Sequence, residues 1–406
     1  MSSPDPDTPA LVLVLNSGSS SIKFQLIEPV SGKSPAHGLI ERIGEPEGRI
    51  VFHHTTGTIE ETGAIPDHRK GLHAVLGMLE RLGRPLEEVG IVAVGHRIVH
   101  GGMNLHEPTL IDDDVVRAVA DLSVLAPLHN PANVIGIEVA REELPDVPHV
   151  GVFDTAFFHD LPAPAATYAI DRDIAREHGL RRYGFHGTSH EYVAHRAADF
   201  LGRGIAELNL VVLHLGNGAS ASAIAGGHPI DTSMGLTPLE GLVMGTRSGD
   251  VDPGLVLHLH RTVGLGVDAL DDLLNRHSGL KGLSGVNDFR ALHELVEAGD
   301  EDARLAYDVY VHRIRKYVGA YTFELGGVDA IVFTGGVGEH NADVRHDALA
   351  GLDRLGIVVD DTRNGAAEEG ERRISADGSQ VEVLVIPTNE ELAIARAAVA
   401  FARPRS

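Results

Sequence analysis

Apolar residues gather in short runs separated by polar, glycine-containing turns, and amphipathic stretches of helical length lie between them. The run 11–15 (Leu-Val-Leu-Val-Leu) and the segment 21–27 predict two strands flanking a turn of small residues, and 91–94 and 149–153 predict two more. Helical periodicity marks 112–122 and 131–143. Asn130 is the expected N-cap of the second, with Pro131 at its first position. From 208 the pattern restarts: a strand over 208–215, the turn Gly216-Asn217-Gly218 and a strand over 220–225. A helix over about 301–324, strands at 328–334, 355–359 and 381–387, and a final helix from about 389 complete the pass. Two strand–turn–strand units predict a duplicated α/β domain with a nucleotide between the halves. An accidental likeness between ordinary hairpins is the competing reading.

The turns carry the chemistry. Leu15-Asn16-Ser17-Gly18-Ser19-Ser20-Ser21-Ile22-Lys23 offers an amide, hydroxyls and backbone N–H groups able to cradle phosphate and orient Mg²⁺-bound water, with Lys23 to neutralise charge. A plain polar hairpin would read the same way. His214-Leu215-Gly216-Asn217-Gly218 is a second such turn, and Thr334-Gly335-Gly336-Val337-Gly338-Glu339 a third, at a strand end before a helix. Neither the P-loop nor the Rossmann spacing is complete: Ile27 stands where the glycine leading to Gly32-Lys33-Ser34 belongs. In 233–254, glycine recurs at 235, 241, 245, 249 and 254 around a lone arginine, Arg247, with Asp250 and Asp252 just after it. Glycine is kept where backbone must approach something closely, so this segment reads as a binding loop. Arg97 follows a strand in a glycine-flanked loop, Asp154 sits at another strand end, and Glu390 follows the last strand. Thr188 and Glu191, after His186, have capping-box spacing.

At 406 residues and 43% hydrophobic, the chain can fill more than one domain core. A net charge of −24 argues against a nucleic-acid partner, and it makes single arginines in glycine-rich loops more informative about an anionic substrate. With no cysteine, thiol chemistry and disulfides are excluded. The polar start MSSPDPDTPA shows no signal peptide, and no apolar run is long enough for a membrane span, so a cytoplasmic protein is expected. His96 and His100, and His186 and His190, are spaced four apart. Without an HExxH, and with 24 histidines in all, zinc is disfavoured. His53, His54, His258 and His260 read as ordinary histidines, and Asp112-Asp113-Asp114 as a solvated helix start.

Seven of these segments, in order from Leu11 to about Ala400, resemble the acetate kinases of the actin-like ATPase and sugar-kinase superfamily. The resemblance implies duplicated actin-like (ribonuclease H-like) domains with an interdomain active-site cleft. The first would be 1–155 rejoined by 389–406. The second, 156–388, would bind nucleotide and carry the contacts of a homodimer. It also implies reversible, Mg²⁺-dependent, direct in-line phosphoryl transfer between ATP and acetate, giving ADP and acetyl phosphate, with Mn²⁺ able to substitute and a place in acetyl-CoA biosynthesis. Asp154, His186, Arg247 and Arg97 match the catalytic set. Arg97, Val99, Leu128, Phe185 and Pro238 match the substrate pocket, and Asn16 and Glu390 the metal site. Lys23, His214, Leu215, Gly216, Asn217, Gly218, Asp288, Phe289, Arg290, Gly335, Gly336, Val337, Gly338 and Glu339 match the ATP segments. Two departures stand out: Ser17 replaces a usual cysteine or alanine, and Val286-Asn287-Asp288 is one residue short. Propionate or butyrate kinase is the alternative within the class, and a non-catalytic nucleotide-binding module the alternative outside it. An acetate carboxylate is already ionised at neutral pH, so Asp154 is expected to orient the metal shell rather than act as a base.

Overall fold

The computed structural model describes residues 10–80 and 90–402. The polar start read for a leader and the outer edges of the first expected domain lie outside these residues. By contacts the chain divides into two compact units, Met1–Ala156 with Asn389–Ser406, and Phe157–Thr388.

The first unit is built on an eight-stranded sheet of β1 (Leu11–Ser17), β2 (Ser21–Ile27), β3 (Ala36–Glu41), β4 (Gly48–His54), β5 (Gly57–Gly63), β6 (Ile91–Ile98), β7 (Thr109–Leu110) and β8 (His149–Phe153). Their order is β5-β4-β3-β2-β1-β6-β8-β7. β1 through β5 form an antiparallel meander, whereas β1, β6 and β8 run parallel. The apolar run of β1 is buried on both faces, as a strand with neighbours on each side and helices above and below must be. β5 is mostly exposed and carries Glu60 and Glu61, which guard a sheet edge against further pairing. Leu13, Phe24, Phe52, Leu72, Val94 and Val139 share one core, joining the sheet to the helices His68–Glu80 and Asn130–Glu143. On β6, a Cβ at Gly95 would lie 2.6 Å from Ile394, so only glycine lets the helix Glu390–Val399 seat against this strand.

The second unit holds β9 (Asn209–Leu215), β10 (Ala219–Ala225), β11 (His228–Thr232), β12 (Ala330–Thr334), β13 (Arg372–Arg373) and β14 (Glu382–Val385), in the order β11-β10-β9-β12-β14-β13. β11, β10 and β9 are antiparallel; β9, β12 and β14 are parallel. The series β3-β2-β1-β6-β8 and β11-β10-β9-β12-β14 therefore repeat one order and one set of directions. The duplicated α/β architecture is visible as this repeated topology. The long helix Glu301–Glu324 begins where Asp300 accepts a hydrogen bond from the Ala303 amide, and it buries Tyr307, Tyr310, Ile314, Val318 and Tyr321 at helical spacing.

Three local expectations are corrected. Asn130 does not cap its helix; it lies inside the first turn, fully buried, donating to the carbonyls of His100 and Val119 and accepting from the His100 amide. The His100 groups lie past the end of β6 and the Val119 carbonyl in the last turn of the helix Asp113–Asp121, and the Asn130 amide satisfies them. Thr188 and Glu191 make no capping box: the helix Gly187–Leu201 starts at His186, in the left-handed region at φ 58°, and no side chain caps it. The segment 355–359 is not a strand. It follows a 3₁₀ turn, and Val358 and Gly356 bond to the Ser379–Val381 loop, leaving one bridge between Val359 and Ser375.

Candidate active site

In the first unit, parallel β6 and β8 bring their C-terminal ends side by side, with Ile98 opposite Phe153. Arg97 and Asp154 meet there in a two-pronged pair: Nε donates to Oδ1 at 3.0 Å and Nη2 to Oδ2 at 2.6 Å. Glu390, in the first turn of the helix that Asn389 caps, reaches the same guanidinium at 3.5 Å. Burial works against the Arg97 charge, but Asp154 and Glu390 outweigh it and raise its pKa. Glu390 goes up as well: desolvation and Glu391 together overcome the pull of Arg97 and Lys23. Asn16 and Lys23 face each other in the β1–β2 register, and both line a cavity of 410 Å³ together with His37 and Glu391.

The loop after β6 is held from beneath. Asn133 accepts from the Val99 amide and donates to the Ser17 carbonyl, tying the ends of β6 and β1 together, and Thr155 accepts from the Gly101 amide. Val99 is buried and Leu128 partly so. Among the described residues no group of three or more His, Cys, Asp or Glu is placed to hold a metal ion directly. Buried Asp154 and partly buried Glu390 nonetheless share one guanidinium, and the Glu390 carboxyl lacks full compensation. Hard oxygen donors with surplus negative charge fit a magnesium ion held through its waters.

In the second unit the glycine turn after β9 closes tightly, with the Gly216 amide on the Gly218 carbonyl at 2.9 Å. A Cβ built at Gly218 would stand 3.5 Å from Nε2 of His186 and 3.9 Å from Nη1 of Arg247, so two cationic or donor side chains converge on bare backbone. Arg247 donates to the Pro238 carbonyl at 3.1 Å and has no carboxylate partner among the described residues; desolvation lowers its pKa. The loop bearing it is clamped twice. Glu240 accepts from Tyr168 at 2.6 Å and Arg182 at 2.7 Å, while Asp250 accepts from Tyr317 and the Gly241 amide, and Arg313 donates to the Gly241 carbonyl. Phe185 is fully buried.

His186 stacks on His214 with ring centroids 4.4 Å apart, and its Nδ1 shares a hydrogen bond with Ser220 at 2.9 Å. Ser220 in turn bonds Nε2 of His190, whose Nδ1 bonds Ser222, both at 2.7 Å. Two further glycine segments of the second unit lie against the same turn. Gly245 donates to the Asn217 carbonyl, and a Cβ there would sit 3.0 Å from the Asn287 carbonyl. Gly335, at φ 77°, packs against the Leu215 backbone, whereas Gly336 faces open space. Two of the singled-out carboxylates have structural duties: Glu339 accepts from the amides of Gly335 and Thr388, and Asp288 caps the helix Phe289–Glu297. Phe289 packs edge-on against Tyr310, and Arg290 is exposed. Ser220, Ser222 and Asn133 escaped the sequence reading, and His190 entered it only as a disfavoured zinc ligand. Alternating serines in the otherwise apolar strand 219–225 were the available signal.

The sequence profile of the acetokinase family matches residues 11–396. The chain is similar to the acetate kinase of Corynebacterium efficiens, 55% identical over 396 residues, which is 97% of this chain and 100% of that protein. Among solved structures it is similar to the acetate kinase of Porphyromonas gingivalis, at a TM-score of 0.91 and 42% identity, covering 97% of this chain and 100% of that one. It is also similar to a propionate kinase from Francisella tularensis, at 0.91 and 40%, covering 96% and 99%. Repeated sheet topology, strand-end residues and glycine turns thus coincide with a profile spanning nearly the whole sequence: the chain belongs to the acetokinase family.

Proposed function

We propose that this protein is an acetate kinase that transfers the γ-phosphoryl group of ATP to acetate and back, giving ADP and acetyl phosphate by direct in-line displacement. The observation carrying this reading is the partly buried Arg247 guanidinium, without a carboxylate partner among the described residues, beside His186 at the Gly216–Gly218 turn. A partly desolvated positive charge with no acid beside it favours an anion. Acetate arrives ionised and needs no base; what it needs is relief from approaching a polyanion. Arg97 fixes the carboxylate. Arg247 and His186 donate to the equatorial oxygens of the transferring group, whose loose transition state rewards positioning and charge.

Asn16, Asp154 and Glu390 would hold magnesium through its waters, and that ion would supply charge neutralisation at the nucleotide phosphates. Lys23, His214–Gly218, Asp288–Arg290 and Gly335–Glu339 form the nucleotide segments, the bare backbone at Gly336 receiving phosphate at a helix start. Val99, Leu128, Phe185 and Pro238 contact the methyl group. The two compact units are the two actin-like domains, and the working form is a cytoplasmic homodimer. Hydroxylamine trapping of acyl phosphate formed from acetate and MgATP tests the activity; no hydroxamate from any short carboxylate would reject it. Propionate is the second reading, favoured by equal structural similarity to a propionate kinase. The ratio of kcat/KM for the two acids decides between them.

A further inference from the structure

Three hydroxyl and imidazole groups behind His186 have no role in the chemistry described above. Ser220, His190 and Ser222 are all 0% exposed and form one chain ending on His186 Nδ1. Burial and the nearby His214 push the His190 pKa well down, so this ring is neutral and carries a single N–H. Two proton arrangements satisfy a neutral His190. In one, Ser222 Oγ–H donates to His190 Nδ1, His190 Nε2–H donates to Ser220 Oγ, and Ser220 Oγ–H donates to His186 Nδ1. In the other every donor is reversed, and the Ser222 hydroxyl hydrogen then needs a second acceptor. His190 is the sole side-chain hydrogen-bond partner of Ser222 among the described residues. A buried hydroxyl hydrogen with no acceptor is costly, so the first arrangement prevails.

We propose that Ser222, His190 and Ser220 are positioning residues that leave His186 Nδ1 as an acceptor and its proton on Nε2, directed at the space beside Gly218. This rests on the reading of His186 as a donor to the phosphoryl group. The geometry agrees: Nε2 is the His186 nitrogen 3.5 Å from where a Gly218 Cβ would stand, with Arg247 Nη1 3.9 Å from the same point. The reverse tautomer would present a lone pair to a phosphoryl oxygen, an acceptor facing an acceptor. His186 is also fixed in place. Its backbone is locked in the left-handed region and its ring lies against His214, so the ring cannot flip to correct a wrong tautomer without losing both the stack and the Ser220 bond.

The test uses the full-length protein labelled with ¹⁵N-histidine, the His186 signals being assigned by their loss in His186→Gln. In the wild type, Nε2 should appear protonated and Nδ1 as a bare acceptor. Ser222→Ala removes the donor that sets the direction, so a population of Nδ1–H should appear and kcat should fall while the KM for acetate stays put. Ser222→Thr returns the hydroxyl and should restore both readouts. Ser220→Ala cuts the chain next to His186 and should lower kcat by about tenfold or more. A wild-type His186 protonated on Nδ1 overturns the relay, as does a fall in kcat with the Nε2–H signal unchanged. A tautomer shift with unchanged kcat keeps the relay and removes His186 as the phosphoryl donor, so the two readings fail separately.

Discussion

Arg97, near the end of β6, and Arg247, in a glycine-rich loop, are both partly buried arginines, yet their surroundings are opposites. Arg97 has Asp154 in a two-pronged pair and Glu390 behind it, and its pKa is raised; Arg247 has a proline carbonyl and a methionine sulfur, and its pKa is lowered. The first sits in an over-acidified cluster whose surplus suits a hydrated cation as well as one carboxylate held by the guanidinium. The second is a partly buried positive charge with no carboxylate partner among the described residues. Read from the sequence alone, the two residues carry one expectation, loss of activity with the fold intact. The structure separates them.

The sharpest test is Arg247→Ala. Turnover should drop by about 10³-fold, as when a donor to a developing charge is removed, while the melting temperature holds or rises because a desolvated cation is gone. Arg97→Ala should lose comparable activity but also stability. It strands the Asp154 and Glu390 carboxylates, and breaking such a pair costs about 3 kcal/mol, several degrees of melting temperature. Equal melting temperatures in the two variants would erase the contrast. Both are read by hydroxamate assay and calorimetry.

A gentler probe is Glu390→Gln, a neutral mimic of the protonated acid. Because the folded-state pKa of Glu390 is raised, its ionisation opposes folding: full stability is present below the ordinary carboxylate value and is lost as pH rises through the folded value. The variant should therefore match the wild type at pH 4 and melt higher at pH 8. Magnesium chloride should lift the wild type more than the variant. A gap between the two proteins that does not change with pH would break the account of the acidic cluster.

The smallest effect concerns substrate length. Val99→Ala opens space beside Arg97 without touching charge, so the propionate-to-acetate ratio of kcat/KM should rise, by up to about tenfold, since a methylene is worth about 1–3 kcal/mol. An unmoved ratio would take Val99 out of the pocket.

How much of this was legible depends on the periodicity each segment carries. The runs at β1, β8 and β12 are continuous and apolar because both faces are covered, and they could be read directly. The meander β3–β5 was missed: with one face partly open it alternates weakly and is diluted by His37, His53, His54 and glycines. The helix Glu301–Glu324 was legible to the residue because Asp300 caps it. At the site, Arg97, Asp154 and Arg247 stood out as charges at strand ends and in glycine loops. What surrounds them did not, since the pairing of Arg97 with Asp154 spans 57 residues and depends on β6 and β8 being neighbours. The Asn130 misreading has the same origin: an asparagine before a proline looks like a cap until a distant loop claims its amide.

The seating of the helix Glu390–Val399 on β6 bears on biosynthesis. A ribosome that has released residues up to 388 has made every strand of both sheets and all of the second unit, but the first unit still lacks the helix that covers Gly95. Until then β6 shows an apolar furrow to the surroundings, and Arg97 has Asp154 without Glu390. The inserted unit can mature during synthesis; the unit that starts first must finish last. A chain truncated before 390 would keep the pair of Arg97 with Asp154 and lose both Glu390 and the helix that covers Gly95.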